Sequence, residues 1–145
     1  MRRILCLVLC LTFLIFPVQA AQKNEKYVAL TFDDGPSGRF TRNLLKGLRR
    51  RDVNATFLLC GYRMAEYPEL TEQIFREGHE IGCHGYSHSD MRPMSRREVA
   101  QEIAEMRELL PEGCRMRFLR PPGGSSSDAV EQVAGVQGLS ILSWS

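Results

Sequence analysis

The chain has 145 residues, 43% of them hydrophobic, with 19 Lys plus Arg set against 17 Asp plus Glu. That length leaves room for one ordinary domain at most. The small positive excess comes from Arg2 and Arg3 alone, since 19 minus 2 leaves 17 basic against 17 acidic residues from position 21 onward, so net charge gives no reason to expect a nucleic-acid partner.

Arg2 and Arg3 precede an apolar run over 4–16, a break at Pro17 and the small-residue site Val18-Gln19-Ala20. This is the pattern of a secretory signal over 1–20 with cleavage before Ala21, and it predicts a secreted or envelope-associated protein. An uncleaved anchor is the alternative, though the run is short for a span. Beyond the leader, a polar lead-in occupies 21–26 and the domain proper 27–145. Of the five cysteines, Cys60, Cys83 and Cys114 remain after cleavage. An odd, widely spaced set is not a disulfide framework, although one Cys60–Cys83 bridge is open to an exported chain.

The first strand is predicted over 27–32, an apolar run that delivers Asp33 and Asp34 onto the Gly35-Pro36 turn. A helix follows over 40–50, with Leu44, Leu45 and Leu48 on one face. The run 55–60 predicts a second strand, and 66–77 a second helix with Pro68 in its first turn and a stop at Gly78. A third strand over 80–83 leads into His84-Gly85-Tyr86-Ser87-His88. Ser95 with Glu98 three residues later reads as a capping box, opening a third helix marked by Val99, Ile103, Met106 and Leu110. A fourth strand over 115–119 delivers Arg120-Pro121-Pro122-Gly123-Gly124. Ser127 is a candidate cap for a helix over 128–134, and a fifth strand follows over 139–144. Strict alternation of strand and helix predicts parallel strands with right-handed crossovers, in an open sheet or a barrel.

Asp33 and Asp34 follow strand one, His84 and His88 follow strand three, and Arg120 follows strand four. All therefore fall at carboxyl ends, the rim where such folds build their sites. Two adjacent carboxylates repel each other, and packing alone does not explain them. The two histidines, with three residues between them, reach one point if the segment makes a helical turn, though Gly85 and Ser87 suit a tight turn better. With one carboxylate they make a donor set for zinc or another divalent transition metal. Two ordinary surface histidines are the bland alternative. The other carboxylate is then free to take a proton from water, and Arg120 is placed to hold a carboxylate through a bidentate fork. The Pro-Pro-Gly-Gly run shapes a groove wall or a plain turn. Cys83, next to His84, competes as a soft ligand or points into the core, which strand alternation favours.

Thr31-Phe32-Asp33-Asp34-Gly35-Pro36, His84-Gly85-Tyr86-Ser87-His88 and Arg120-Pro121-Pro122-Gly123-Gly124 resemble, in this order, the first three motifs of the polysaccharide deacetylase family, the NodB-homology domain of carbohydrate esterase family 4. The resemblance implies an α/β fold, a deformed (β/α) barrel of which about five βα units are present. It implies metal-dependent hydrolysis of N-acetyl, or in some members O-acetyl, groups on a polysaccharide such as peptidoglycan or a chitin-like polymer of N-acetylglucosamine. Carried over by position, Asp33 is the general base, Arg120 orients it, and Asp34, His84 and His88 hold the metal; Pro122 and Gly123 are candidate substrate contacts because the rigid then permissive loop brings backbone close to a groove. The metal would be zinc, with cobalt or manganese as alternatives. A metal-dependent hydrolase of another amide and a non-catalytic metal- and glycan-binding remnant are rival readings.

The family's fourth motif, an acid and tryptophan, and its fifth, a Leu-x-His that protonates the leaving amine, do not occur before Ser145. Cys83 also stands where many members carry Asn. The expectation is a C-terminally truncated domain that holds metal but is weak or inactive in catalysis. Its unpaired fifth strand would offer an edge for self-association.

Overall fold

A computed structural model of the chain describes residues 26–143. The leader over 1–20, the lead-in up to 25, and Trp144 at the end of the fifth predicted strand lie outside the described residues.

Five strands, β1 (Thr31–Asp33), β2 (Thr56–Leu59), β3 (Glu80–Cys83), β4 (Phe118–Leu119) and β5 (Ser140–Ile141), form one sheet. All neighbouring pairs are parallel and the spatial order is that of the sequence. Each crossover therefore moves one strand over in the same direction. A doubly wound sheet reverses that order part-way; an unbroken progression is the wall of a (β/α) barrel, here five strands of it. The helices are α1 (Gly38–Arg49), α2 (Gly61–Glu66), α3 (Pro68–Arg76), α4 (Arg96–Arg107) and α5 (Asp128–Val136).

Alternation along the strands separates two faces. Phe57 and Leu59 of β2, Ile81 and Cys83 of β3 and Leu119 of β4 join one buried cluster with Leu45 and Leu48 of α1, Ile74 of α3, Val99, Ile103 and Met106 of α4, and Val130 of α5. The spacing of those helical residues is the stripe that the sequence pattern predicts. Cys83 thus packs in the helix-facing core, and burial pushes its thiol up to about 12. Cys60, Cys83 and Cys114 are all free thiols, so the Cys60–Cys83 bridge is not formed.

Several boundaries differ from the sequence expectation. The ladder of β1 starts at Thr31, opposite Thr56, and not at Tyr27; Tyr27 and Val28 are largely exposed. An apolar run predicts burial, yet only its last residues reach a neighbouring strand. The predicted helix over 66–77 starts only at Pro68, and a separate short helix over Gly61–Glu66, which the sequence pattern does not predict, precedes it; the two meet at Tyr67, whose backbone is non-helical. The following proline disfavours helical backbone in the residue before it, and Pro68 opens a new helix instead of continuing one. The Ser95 capping box is complete, with Glu98 N–H donating to the serine hydroxyl and Ser95 N–H to the glutamate. Ser127 occupies the N-cap of α5, but its hydroxyl makes no capping bond.

Candidate metal centre and active site

The carboxyl ends of β1, β3 and β4 bring Asp33, Asp34, His84, His88 and Arg120 to one place. The adjacent acids take different partners. Asp33, the last residue of β1, accepts a 2.6 Å hydrogen bond from Arg120 Nη1. Asp34 turns away into the left-handed region, with φ 66°. Its Oδ1 then lies 3.2 Å from His84 Nε2 and 3.0 Å from His88 Nε2. His88 is also left-handed, φ 61°. Non-glycine residues pay for that conformation, Asp and His less than most, and it persists where the surroundings demand it. The charge clash in Asp33-Asp34 is thereby relieved through backbone geometry: one carboxylate faces a guanidinium, the other two imidazoles.

Arg120 is buried and ties the rim together. Its Nη1 also donates to Thr31 Oγ1 at 3.0 Å, its Nε donates to the Leu142 carbonyl at 3.0 Å, and its own carbonyl lies 2.7 Å from His84 Nδ1. The contact with Asp33 runs through Nη1 while Nε is turned to the Leu142 carbonyl, so the guanidinium edge expected to form a fork on one carboxylate is shared among β1 and the chain after β5.

A carbonyl only accepts, so His84 Nδ1 carries a proton and donates it, and in the neutral form of this tautomer the ring presents a lone pair at Nε2. That lone pair faces a carboxylate oxygen that is also an acceptor. A cation among the donor atoms satisfies both, and an imidazole fixed by a carbonyl on its other nitrogen is the usual arrangement of a metal-binding histidine. Two imidazole nitrogens and a carboxylate suit zinc or a similar divalent ion. On this chemistry the residues present fit such a group. The segment carrying both histidines makes bends and no helical turn, as Gly85 and Ser87 suggest.

Sequence reasoning did not single out two residues here. The sequence offers Cys60 only as a disulfide half, yet its Sγ, an Asp34 carboxylate oxygen and a His88 ring nitrogen all lie within 4.8 Å of one another. Its position at the end of β2, on the same rim, was the available signal. Its thiol is pushed up to about 12, first by burial and then by the charge of Asp34. The second is Glu102 on α4, which accepts from Tyr86 N–H at 2.6 Å and Ser87 N–H at 2.9 Å. On spacing alone it is one more polar position of an amphipathic helix.

Two grooves flank the centre. One, about 380 Å³, is lined by Asp33, Asp34, Ser37, Phe40 and Arg63 among others. The other, about 330 Å³, is lined by His88, Asp90, Arg92, Pro122, Gly123 and Ser125. Pro122 and Gly123, expected to contact substrate, thus sit beside His88, in a short 3-10 turn over Pro122–Gly124. A larger cavity of about 410 Å³ lies at the opposite, amino end of the strands around His79 and Cys114, away from these groups.

A family model described as Polysaccharide deacetylase matches residues 20–142. A peptidoglycan-N-acetylglucosamine deacetylase of Bacillus cereus is 37% identical over 124 residues, covering 84% of this chain and 45% of that protein. Among solved structures, a family 4 carbohydrate esterase from Streptomyces lividans in complex with acetate superposes with a TM-score of 0.77 at 31% identity, over 82% of this chain and 62% of that one. A CE4 family pseudoenzyme from Bacillus anthracis gives a TM-score of 0.77 at 27% identity, over 83% and 44%. The chain spans about half, or less, of the length of the curated relatives it matches.

Proposed function

Because the chain belongs to the polysaccharide deacetylase family, we propose that it serves in metal-dependent removal of N-acetyl groups from a cell-wall polysaccharide. Peptidoglycan N-acetylglucosamine is the first substrate to test, followed by chitin-like oligomers and O-acetylated glycans. The observation that carries this reading is the convergence of His84 Nε2 and His88 Nε2 on Asp34 Oδ1, beside an Asp33 held by Arg120. A leader over 1–20 would bring the domain to such a substrate outside the cell.

Asp34, His84 and His88 would hold a divalent metal, zinc first, with cobalt or manganese as alternatives. When bound, it supplies Lewis acidity toward the acetyl carbonyl and toward water. Asp33 takes the proton from the attacking water. Arg120 fixes the direction of that carboxylate and, through its carbonyl, the tautomer of His84, so one residue orients both halves of the site. The C–N bond breaks to give acetate and a free amine, and the amine nitrogen needs a proton as it leaves. The third histidine of the sequence, His79, lies at the far end of β3, away from this nitrogen, and in this reading Asp33 returns the proton it took. The grooves on either side, one past Phe40 and one past Pro122 and Gly123, would take sugar units flanking the reacting one.

The test is release of free amine from peptidoglycan and from N-acetylglucosamine oligomers by the zinc-loaded chain, beside Asp33→Asn. Loss of a positioned base lowers the rate about 10²- to 10⁴-fold while zinc binding, which does not use Asp33, is retained. A second reading, glycan binding without turnover, has one observation in its favour, the likeness to a pseudoenzyme. Zinc binding and glycan binding with no amine released would establish that reading and remove the first.

A further inference from the structure

The loop 84–88 carries both imidazoles, and its shape is unusual. Gly85 has φ 80° and His88 φ 61°, so the backbone enters the left-handed region twice in four residues. Isolated chain does not hold such a path, and something must hold it here. On one side the carbonyls of Gly85 and Tyr86 accept from Gly61 N–H and Tyr62 N–H, each at 3.0 Å. That approach depends on glycine at 61, because a Cβ there would lie 2.3 Å from the Tyr86 ring.

The donors on the other side point at a single carboxylate. Glu102 Oε2 accepts from Tyr86 N–H at 2.6 Å and from Ser87 N–H at 2.9 Å, and Oε1 accepts from the Ser87 hydroxyl at 2.8 Å. The Ser87 oxygen in turn accepts from Ser89 N–H at 3.2 Å and lies 2.9 Å from the Ser89 hydroxyl. Both chain neighbours of His88 are thereby tied, directly or through one hydroxyl, to Glu102. The room beside it is tight: a Cβ on Gly85 would stand 3.2 Å from Glu102 Oε2 and 3.0 Å from the buried Met91. Glu102 is held in turn by α4, whose Val99, Ile103 and Met106 are buried in the core.

We propose that Glu102 is a positioning residue of the metal centre, which sets the aim of His88 toward Asp34 by holding the Tyr86-Ser87 amides and the Ser87–Ser89 pair. It touches neither substrate nor metal and acts only through the loop. The inference rests on Asp34, His84 and His88 being the metal ligands. Charged acceptors of amide N–H groups make strong, directional bonds, so the carboxylate fixes the loop more firmly than a neutral acceptor does.

The experiment measures zinc affinity of the metal-free chain by competition with a chromophoric chelator, well below the melting temperature of every variant. The visible spectrum of the cobalt-loaded form is recorded beside it as a report on ligand geometry. Glu102→Ala is expected to weaken zinc binding by about 10- to 100-fold, the cost of losing an outer partner of a metal ligand, and to alter the cobalt spectrum. Glu102→Gln, which keeps an acceptor for the amides, is expected to recover most of the affinity. Ser87→Ala, which removes only the hydroxyl link, is expected to fall between wild type and Glu102→Ala. If His84→Ala weakens zinc binding but Glu102→Ala and Glu102→Gln both bind as wild type with an unchanged spectrum, Glu102 has no positioning role. If His84→Ala itself binds as wild type, the assignment of the centre fails first. Should Glu102→Ala not fold, the comparison of Glu102→Gln and Ser87→Ala with wild type decides the matter: two unchanged affinities overturn the proposal.

Discussion

Strand β3 has a buried histidine beyond each end, and the two are used in opposite ways. His79, just before Glu80, is 5% exposed, and His84, just after Cys83, is 2% exposed. His79 Nδ1 accepts the Ala55 N–H at 3.3 Å, its ring packs against Phe57 with centroids 5.3 Å apart, and among the described residues its buried Nε2 has no hydrogen-bond partner. His84 Nδ1 faces a carbonyl and must donate, so its Nε2 lone pair is aimed at a second histidine's target, Asp34 Oδ1. Burial is the same at both ends. What separates a packing histidine from a candidate ligand is the partner on the other ring nitrogen and the convergence of further donors.

The largest expected effect comes from exchanging the two. His84→Ala removes one of the three proposed ligands and should weaken zinc binding by more than about 100-fold, beyond the loss typical of an outer-shell partner. His79→Gln, at a comparably buried position, should leave zinc affinity within about twofold. The measurement is zinc titration against a chelator for both variants. Equal losses would mean that packing of β3, and not ligation, governs the site.

The contrast also explains what the sequence could reveal. Asp33-Asp34, His84-x-x-x-His88 and Arg120 each follow a strand, and the rule that α/β folds build sites at carboxyl ends was enough to bring five side chains together on paper. The helix faces around Leu45, Ile74 and Ile103 were legible from 3.6-residue periodicity for the same reason: local spacing encodes them. Three features were not legible because they depend on contacts between distant segments. Arg120 shares its guanidinium between Asp33, Thr31 and the Leu142 carbonyl, which no single motif reveals. Glu102 meets Tyr86 and Ser87 across 15 or more positions, and within its own helix it is one polar residue among several. The turn of Asp34 into the left-handed region, which lets the two acids coexist, follows from tertiary demand and not from any preference of aspartate for that strand end.

A smaller, pH-dependent effect sharpens the same comparison at the amino end. Burial lowers the pKa of His79 below its ordinary 6.5, while the charge of Glu77 opposes this in part. A base whose folded pKa is depressed favours its neutral form in the native state. Its contribution to stability is therefore full above about pH 6.5, where both states are neutral, and is lost as pH falls below that value and the unfolded chain takes the proton first. Urea midpoints measured from pH 7.5 down to pH 5 should fall more steeply for wild type than for His79→Gln, which retains an acceptor for the Ala55 amide without titrating. Parallel curves would remove His79 from the acid sensitivity of the fold.

The smallest effect is chemical and tests the two rims through their thiols. Cys60 lies beside Asp34 and His88, fully buried, and Cys114 lines the cavity near His79, half-buried. Alkylation requires the thiolate and access to it. Burial raises the thiol pKa at Cys114, and pushes those of Cys60 and Cys83 up to about 12. At pH 8, in the folded, metal-free domain, these three thiols should therefore react with iodoacetamide slowly, Cys114 first, with Cys60 and Cys83 modified only as the chain unfolds. Mass spectrometry of time points with and without urea gives the order. Early labelling of Cys60 in the folded chain would mean that the packing beside Asp34 and His88 opens on its own, and that the carboxyl rim is the looser end of the sheet. The site would then be organised by ligand binding and not by the packing that Arg120 and Glu102 provide.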